Sequence, residues 1–288
     1  MDKVLTVEAM VAKVPDGASI VFGGSSLSRK PMAVARELVR QGRRDLTLIV
    51  NIGGPEVDLL LGAGAVKKVV YAFVGFEILG LAPHFRQARQ RGLAQFEEWT
   101  EYTVIAGLDA TIKAVPFLPT RAGLGTDVLA VNPAFRRIAD PFGSGQELVA
   151  VPALNPDFAF IHVNYADCAG NAAILGDTHI DPLAAKAART TFVTCEKLVP
   201  PEVLRRFGRD ASILRIWVDG VAEVPWGAHP TGCAPQYRFD LDAFTQYLEA
   251  AAEPERWAAY LDRVRQLSPE EYVDHWGGTA GLQARLRV

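Results

Sequence analysis

The run Gly23-Gly24-Ser25-Ser26-Leu27-Ser28-Arg29-Lys30-Pro31 joins two glycines, three serines and two adjacent cations to a proline suited to a helix's first turn. Glycine lets a backbone approach a ligand closely. Exposed amides near a helix N-terminus attract an anion or a developing oxyanion. The plainer alternative is a tight βα turn with a solvated cationic pair. The spacing is neither GxGxxG nor a Walker loop, so it specifies neither a dinucleotide nor a nucleoside triphosphate. A second run, Asn51-Ile52-Gly53-Gly54-Pro55-Glu56, repeats the Gly-Gly pattern ahead of a helix. Simple turn chemistry explains it equally well.

Two further segments carry charge that can act on a substrate. In Glu97-Glu98-Trp99-Thr100-Glu101-Tyr102, Thr100 is an N-cap candidate. Glu101 then sits in a helix's first turn, where the macrodipole stabilises its carboxylate. The functional alternative is a base or orienting group at a cleft. In Pro116–Asp127 (PFLPTRAGLGTD), two prolines stiffen the approach to Arg121, and Gly123 and Gly125 loosen the turn behind it. Such an arginine can grip a carboxylate or phosphate bidentately, or simply be a solvated loop residue. Asn164–Ala172 is dense in turn formers and includes Asn171. Pro225–Thr231 is a rigid loop in which His229 either touches a ligand or satisfies a loop hydrogen bond. His162, Asp167, Cys168, Asp177, His179 and Asp181 are metal-ligand types, but no HExxH or CxxC spacing organises them, and no metal is expected. No GxSxG elbow is present, and Cys168 and Cys195 read as packing residues.

The elements that must position these groups alternate. Strand-like runs are expected at Ala18–Phe22, Leu46–Asn51, Lys68–Val74, Ala114–Leu118, Leu148–Pro152, Phe158–Val163, Thr190–Val199 and Ile213–Val224. Helices are expected at Pro31–Gly42, Pro55–Leu61, Pro83–Gly92, Glu101–Ala114 and Asp181–Arg189. Alternation implies crossover connections and an α/β fold with a mostly parallel central sheet flanked by helices. Ligands of such sheets bind beyond the carboxyl ends of the strands, where the segments above begin. Beyond about residue 238 only helices are expected, at Asp240–Glu253, Glu255–Leu267 and Pro269–His275. They read as a C-terminal helical appendage (239–288) to an α/β core (1–238) within one domain of 288 residues.

Composition narrows the class. The chain is 49% hydrophobic, ample for a buried core, and its net charge of −3 is not that of a nucleic-acid binder. No run approaches the ~18 apolar residues of a membrane span, and the N-terminal stretch lacks a signal-peptide pattern. Three widely spaced cysteines do not make a disulfide framework. A cytoplasmic location, with neither nucleic acid nor membrane as partner, is expected.

Taken together, GGSSLSRKPM (Gly23–Met32), Gly53-Gly54-Pro55, EEWTE (Glu97–Glu101), PFLPTRAGLGTD, Gly170-Asn171-Ala172, Cys195-Glu196-Lys197 and GAHPT (Gly227–Thr231) resemble the α subunits of class I coenzyme A transferases. These are the glutaconate and 3-oxoacid enzymes and their relatives. The resemblance spans roughly residues 15–235, and PFLPTRAGLGTD is its most specific part. It implies an αβ or α2β2 assembly with the active site between subunits. It implies acyl-CoA and carboxylic acid substrates, and no permanently bound cofactor. In that family a β-subunit glutamate attacks the thioester; its Glu-Asn-Gly-type motif is not found here. The resemblance gives this chain a supporting wall, with Gly23, Gly24, Ser25, Ser26, Arg29, Lys30, Gly53, Gly54, Asn171 and His229 as the candidate CoA- and substrate-binding residues. The 3-oxoacid branch has Gly-Gly-Phe where this chain has Gly-Gly-Ser-Ser, which implies a more polar pocket.

The chain also resembles the α subunits of ring-opening CoA hydrolases of steroid catabolism, at RKPM, PFLPTRAGLG, GNAA and GAH. There the β-subunit glutamate is absent, and an α-chain glutamate and arginine contribute instead. Those positions correspond to Glu101 and Arg121. A third alternative is a non-catalytic acyl-CoA-binding subunit.

Overall fold

In the computed structural model, residues 2–206 and 213–288 are described. Short apolar runs form the strands of an eight-stranded sheet: β1 (Ser19–Phe22), β2 (Leu46–Gly53), β3 (Val66–Val74) and β4 (Gln95–Glu98) come first. A small second sheet follows, of β5 (Phe117–Thr120), β6 (Arg136–Ala139) and β7 (Glu147–Pro152). The chain then returns to the main sheet with β8 (Phe158–Ala166), β9 (Ala172–Ala173), β10 (Thr190–Leu198) and β11 (Gly220–Glu223).

The order β11-β10-β8-β1-β2-β3-β4 is parallel throughout, and β9 adds an antiparallel arm to β8. From β1 the chain moves outward to β4, then returns to β8 on the other side. The gap between β1 and β8 is therefore the topological switch point, with the Gly23 turn at its carboxyl end.

The helices are α1 (Val7–Val11), α2 (Met32–Arg40), α3 (Pro55–Gly62), α4 (Pro83–Arg91), α5 (Glu101–Ile112), α6 (Val128–Val131), α7 (Asp181–Ala187) and α8 (Pro201–Arg206). The C-terminal ones are α9 (Leu241–Ala252), α10 (Pro254–Gln266), α11 (Pro269–His275) and α12 (Gly278–Leu286). One face of the main sheet packs on α1–α4, α9 and α10, through Leu38, Leu60, Phe244, Trp257 and Leu261. The other face packs on α5, α7 and the small sheet, through Val104, Leu108, Ala184, Phe135 and Val151. Both faces are covered, which is why the central strands read as continuous apolar runs.

Three expectations change. Ile213–Val224 contains only the four-residue β11, after a 3₁₀ turn at Arg215–Trp217. The polar Gln95–Glu98 is an edge strand paired to β3. Its largely polar, alternation-free sequence QFEE carries no strand signal. Residues 117–152 form an antiparallel unit, not further members of the parallel sheet.

A buried carboxyl joins α3 to α9. Asp58 Oδ1 accepts from the Phe85 amide (2.7 Å), and Oδ2 from the Tyr247 hydroxyl (2.7 Å). Burial pushes this carboxyl up to about 7, against the opposing pull of those donors. The folded state thus binds the proton more tightly than the unfolded chain. This contribution is complete below the unfolded value near 3.8 and is lost as pH rises to about 7. Asp58→Asn is expected to remove that decline, which reaches about 1.4 kcal/mol per pH unit. Urea unfolding at pH 5 and pH 8 checks this; an unchanged pH slope in the variant would contradict it.

Candidate active site

The β1 exit is a closed, ion-paired turn. Gly24 has φ +71°, and a Cβ there would lie 2.5 Å from the Arg29 carbonyl oxygen, so only glycine fits. The Gly23 amide donates to Phe160 O (2.9 Å), Gly24 to Asp181 Oδ1 (2.8 Å), Ser25 to Ser28 O (2.8 Å) and Ser26 to Ile52 O (3.2 Å). The open anion-binding amides expected at Gly23–Ser26 are therefore already spent on protein acceptors. The Ser25 hydroxyl, in a residue 8% exposed, and the hydroxyl of the partly exposed Ser28 make no side-chain hydrogen bond among the described residues.

The cations are equally committed. Arg29 is buried; its Nη1 donates to Asp181 Oδ2 (2.6 Å) and His162 O (3.1 Å), and its Nη2 to Asp177 O (2.6 Å). The pair fills the switch-point crevice itself. Lys30 is fully buried, with Nζ 2.9 Å from Glu56 Oε1 and donating to Gly23 O (3.2 Å) and Gly24 O (3.3 Å). Three acceptors satisfy its three protons. The pair is neither solvated nor aimed at a ligand. Both cations hold the turn rigid.

The exits of β2 and β3 lock onto the same turn. Gly54 donates to both Glu56 oxygens (3.2 and 3.1 Å), and a Cβ on it would lie 2.4 Å from Ser26 O. The Gly75 amide donates to Gly53 O (3.2 Å), and Ser26 Oγ to Gly75 O (3.2 Å). Gly23, Gly24, Ser26, Gly53 and Gly54 are thus brought together as one backbone scaffold.

Glu101 and Arg121 face solvent on a second scaffold. Thr100 caps α5 by accepting from the Thr103 amide (3.2 Å), completing a capping box with the Thr103 side chain. Glu101 follows in the first turn, exposed and without an ion pair among the described residues. Arg121 follows β5 and is exposed; its carbonyl accepts from Leu124 N (3.2 Å). The segment behind it is fastened to the β4 exit. Asn132 Nδ2 donates to Glu98 O (2.8 Å), and Phe135 packs edge-on against Trp99 at 4.8 Å. These contacts tie the segment that follows the Arg121 turn to the β4 exit, just ahead of Glu101.

Asn171 and His229 lie elsewhere. Asn171 Nδ2 donates to Asp167 Oδ2 (2.7 Å) and its Oδ1 accepts from Arg215 N (3.1 Å), so it closes its own turn. His229 is fully buried between Tyr272 OH (2.8 Å) and Asp240 Oδ2 (3.0 Å). Burial pushes its imidazole below the usual range. It satisfies local hydrogen bonds and does not line an open cleft.

The residues imagined as metal ligands do not converge. Asp181 serves Arg29, and Asp167 caps its loop by accepting from Ala169 and Asn171 amides (3.0 and 2.9 Å). A different group is close: His162, Glu196 and Cys233 each place one ligand-type atom within 4.8 Å of the others. Glu196 there already accepts from Tyr237 OH, from the Trp226 amide (2.8 Å) and shares a proton with His162 Nε2 (2.7 Å). Its oxygens are taken, and burial raises the Cys233 thiol, which keeps it protonated. Sequence reasoning passed over Glu196 and Cys233 as site residues because no motif spacing links them to His162.

A 490 Å³ cleft opens beside this network, lined by Tyr165, Glu196, Lys197, Trp226, Gln236 and Arg287. No helix among the described residues is long and apolar enough to cross a membrane.

Comparison with known proteins agrees with this architecture. Residues 4–223 match the family described as coenzyme A transferase. The chain is 37% identical over 280 residues to the cholesterol ring-cleaving hydrolase IpdA subunit of Rhodococcus jostii, covering 94% of each chain. It is 30% identical to a glutaconate CoA-transferase subunit of Acidaminococcus fermentans, covering 99% of this chain and 95% of that one. The crystal structure of glutaconate coenzyme A-transferase from A. fermentans superposes with a TM-score of 0.93 at 30% identity, covering 99% of this chain and 96% of that chain. With the parallel sheet, its switch-point turn and this full-length match in view, the chain belongs to the coenzyme A transferase family.

Proposed function

We propose that this chain is the α subunit of a heteromeric CoA transferase and walls one side of an acyl-thioester site. A β subunit supplies the attacking glutamate. That carboxylate adds to the thioester carbonyl, CoA leaves as the thiolate, and an acyl–glutamyl anhydride forms. The thiolate then attacks the glutamyl carbonyl, releasing the first acid and leaving a glutamyl-CoA thioester. A second carboxylic acid reverses both steps and departs as the new acyl-CoA.

The observation that carries this reading is where the carboxylates at the strand exits are used. Asp181 and Glu56, the two beside the Gly23–Lys30 turn, are buried in ion pairs with Arg29 and Lys30. Neither is available to attack a thioester, which supports a nucleophile supplied by another chain. What this chain offers outward is Glu101 and Arg121. Arg121 is suited to holding a substrate carboxylate, and Glu101 to orienting a polar group. Gly23, Gly24, Ser26, Arg29, Lys30, Gly53 and Gly54 serve the site by fixing its backbone.

The test is labelling. The chain is co-purified with its β partner, incubated with acyl-CoA and trapped with hydroxylamine, and both chains are read by mass spectrometry. A hydroxamate on a β-subunit glutamate is expected; one on Glu101 would overturn the assignment.

A second reading is favoured by the 37% identity to one chain of a ring-cleaving hydrolase, together with the free, solvent-facing Glu101 and Arg121. In it, Glu101 activates water and Arg121 holds the developing anion. Product formation without an acceptor acid, abolished by Glu101→Gln, would select that reading over transfer.

A further inference from the structure

No part of the proposed reaction uses the 490 Å³ cleft beside the His162–Glu196 network. One wall lies at the carboxyl ends of β8 and β10, where Tyr165 and Lys197 pair in register, one residue before each strand ends. Ligands of parallel sheets bind at that end. The other wall comes from the end of α12. Tyr237 is bridged to Arg287 through the backbone, and the Arg238 amide donates to Leu286 O (3.0 Å). The same Tyr237 donates its hydroxyl to Glu196 Oε1 (2.5 Å), and Glu196 directly precedes Lys197. One tyrosine thus ties the two walls together, and each cation rides on paired backbone.

Lys197 and Arg287 are both exposed and make no ion pair among the described residues. Two carboxylates share the lining, and neither pairs with them. Glu196 spends its oxygens on Tyr237, the Trp226 amide and His162. Val288 is 76% exposed and forms no ion pair with either cation among the described residues. A third donor is available. Leu175 N donates to Asn164 Oδ1 (2.7 Å), which orients the Asn164 amide so that Nδ2 donates to Gln236 Oε1 (2.5 Å). That contact fixes Gln236 Nε2 as a donor, and it is buried without a partner in a residue that lines the cleft. An unspent buried donor calls for an acceptor. Pro225, Trp226 and Pro235 supply apolar lining beside these groups.

We infer that Lys197, Arg287 and Gln236 form a binding site for the dianionic phosphate of a phosphate monoester. Such a group carries about −1.5 to −2 charges at pH 7 and three acceptor oxygens, which answers two cations and an amide donor. A monocarboxylate answers only one of the cations. The carbon portion of the ester lies on the proline and tryptophan lining. Two sources carry this chemistry, the 3′-phosphate of coenzyme A and a free small phosphomonoester. The inference does not rest on the transferase reading, since binding is measured without turnover.

The full chain is titrated by calorimetry with glycerol 3-phosphate and with acetate at one ionic strength, and with CoA against 3′-dephospho-CoA. The side-chain Nε–H resonance of Arg287, assigned by its loss in Arg287→Lys, is followed in parallel. Glycerol 3-phosphate is expected to bind about 10-fold more tightly than acetate and to shift that resonance. Lys197→Met and Arg287→Met should each weaken phosphate binding about 3- to 10-fold, while Arg121→Ala leaves it unchanged. Both cleft cations are exposed, and thermal melts verify that the variants fold; the wild-type resonance decides if they do not. CoA bound more tightly than 3′-dephospho-CoA makes the 3′-phosphate the occupant. Equal affinity for those two, with glycerol 3-phosphate still preferred over acetate, makes it a free phosphomonoester. Acetate matching glycerol 3-phosphate, together with equal affinity for CoA and 3′-dephospho-CoA, overturns the inference. So does an Arg287 resonance unmoved by every phosphate, or a phosphate affinity that survives both methionine substitutions.

Discussion

Arg121→Ala, assembled with the β partner, is expected to lower kcat about 10²- to 10³-fold, the usual cost of removing one charge-stabilising donor. Its effect on stability should stay within about 0.5 kcal/mol. The guanidinium is solvent-exposed and makes no ion pair among the described residues, so truncation leaves no buried group orphaned. The turn does not depend on that side chain. The Thr120 hydroxyl accepts from Ala122 N (3.1 Å), Leu124 N donates to the Arg121 carbonyl (3.2 Å), and Leu124 and Leu129 pack onto the core. Arg121→Lys keeps the charge but not the planar fork, and should recover only part of the rate. Steady-state kinetics beside thermal melts provide the check. Unchanged turnover in a folded variant would make Arg121 a bystander.

Lys30→Met should have the largest effect on folding, about 3–5 kcal/mol. Lys30 and Glu56 are both fully buried and 2.9 Å apart. Removing the ammonium leaves the Glu56 carboxylate in the core with the Gly54 amide as its one donor among the described residues, and leaves the Gly23 and Gly24 carbonyls without Lys30. The double variant Lys30→Met/Glu56→Leu should recover much of the loss, because a buried ion pair exchanged for apolar groups is often near neutral. Activity should not return with stability, since the pair holds the turn that walls the site. Urea unfolding of the two single variants and the double variant measures the coupling. Additive effects would show that the two charges do not depend on each other.

The pH response carries information of a different kind. Asp58 lies two residues from Glu56 on α3 and joins α3 to α9, so its slope reports on attachment of the C-terminal helices together with the charge of its neighbour Glu56. A pH-dependent loss of activity without the matching loss of stability would have to arise at the site instead.

Much of this protein was legible without coordinates. The apolar runs ending in Gly-Gly at Gly23 and Gly53 are strand exits because a strand buried on both faces needs no polar alternation and needs glycine where the backbone turns closely. Thr100 marked the start of α5, because a cap is a local hydrogen bond between near neighbours. Parallel topology followed from alternation alone. Tertiary structure alone decided the rest. Arg29 finds Asp181 152 residues away, and only the β1–β8 adjacency makes that contact; the sequence allowed a solvated or ligand-facing cation equally. The strand at Gln95–Glu98 exists because β3 offers it an edge, not because its residues favour one. The cleft shared by Lys197 and Arg287 likewise has no sequence signature, since the two meet only where Arg287 bridges back to Tyr237. Short-range chemistry is written in the order of residues; which charges are buried together is a property of how distant segments meet.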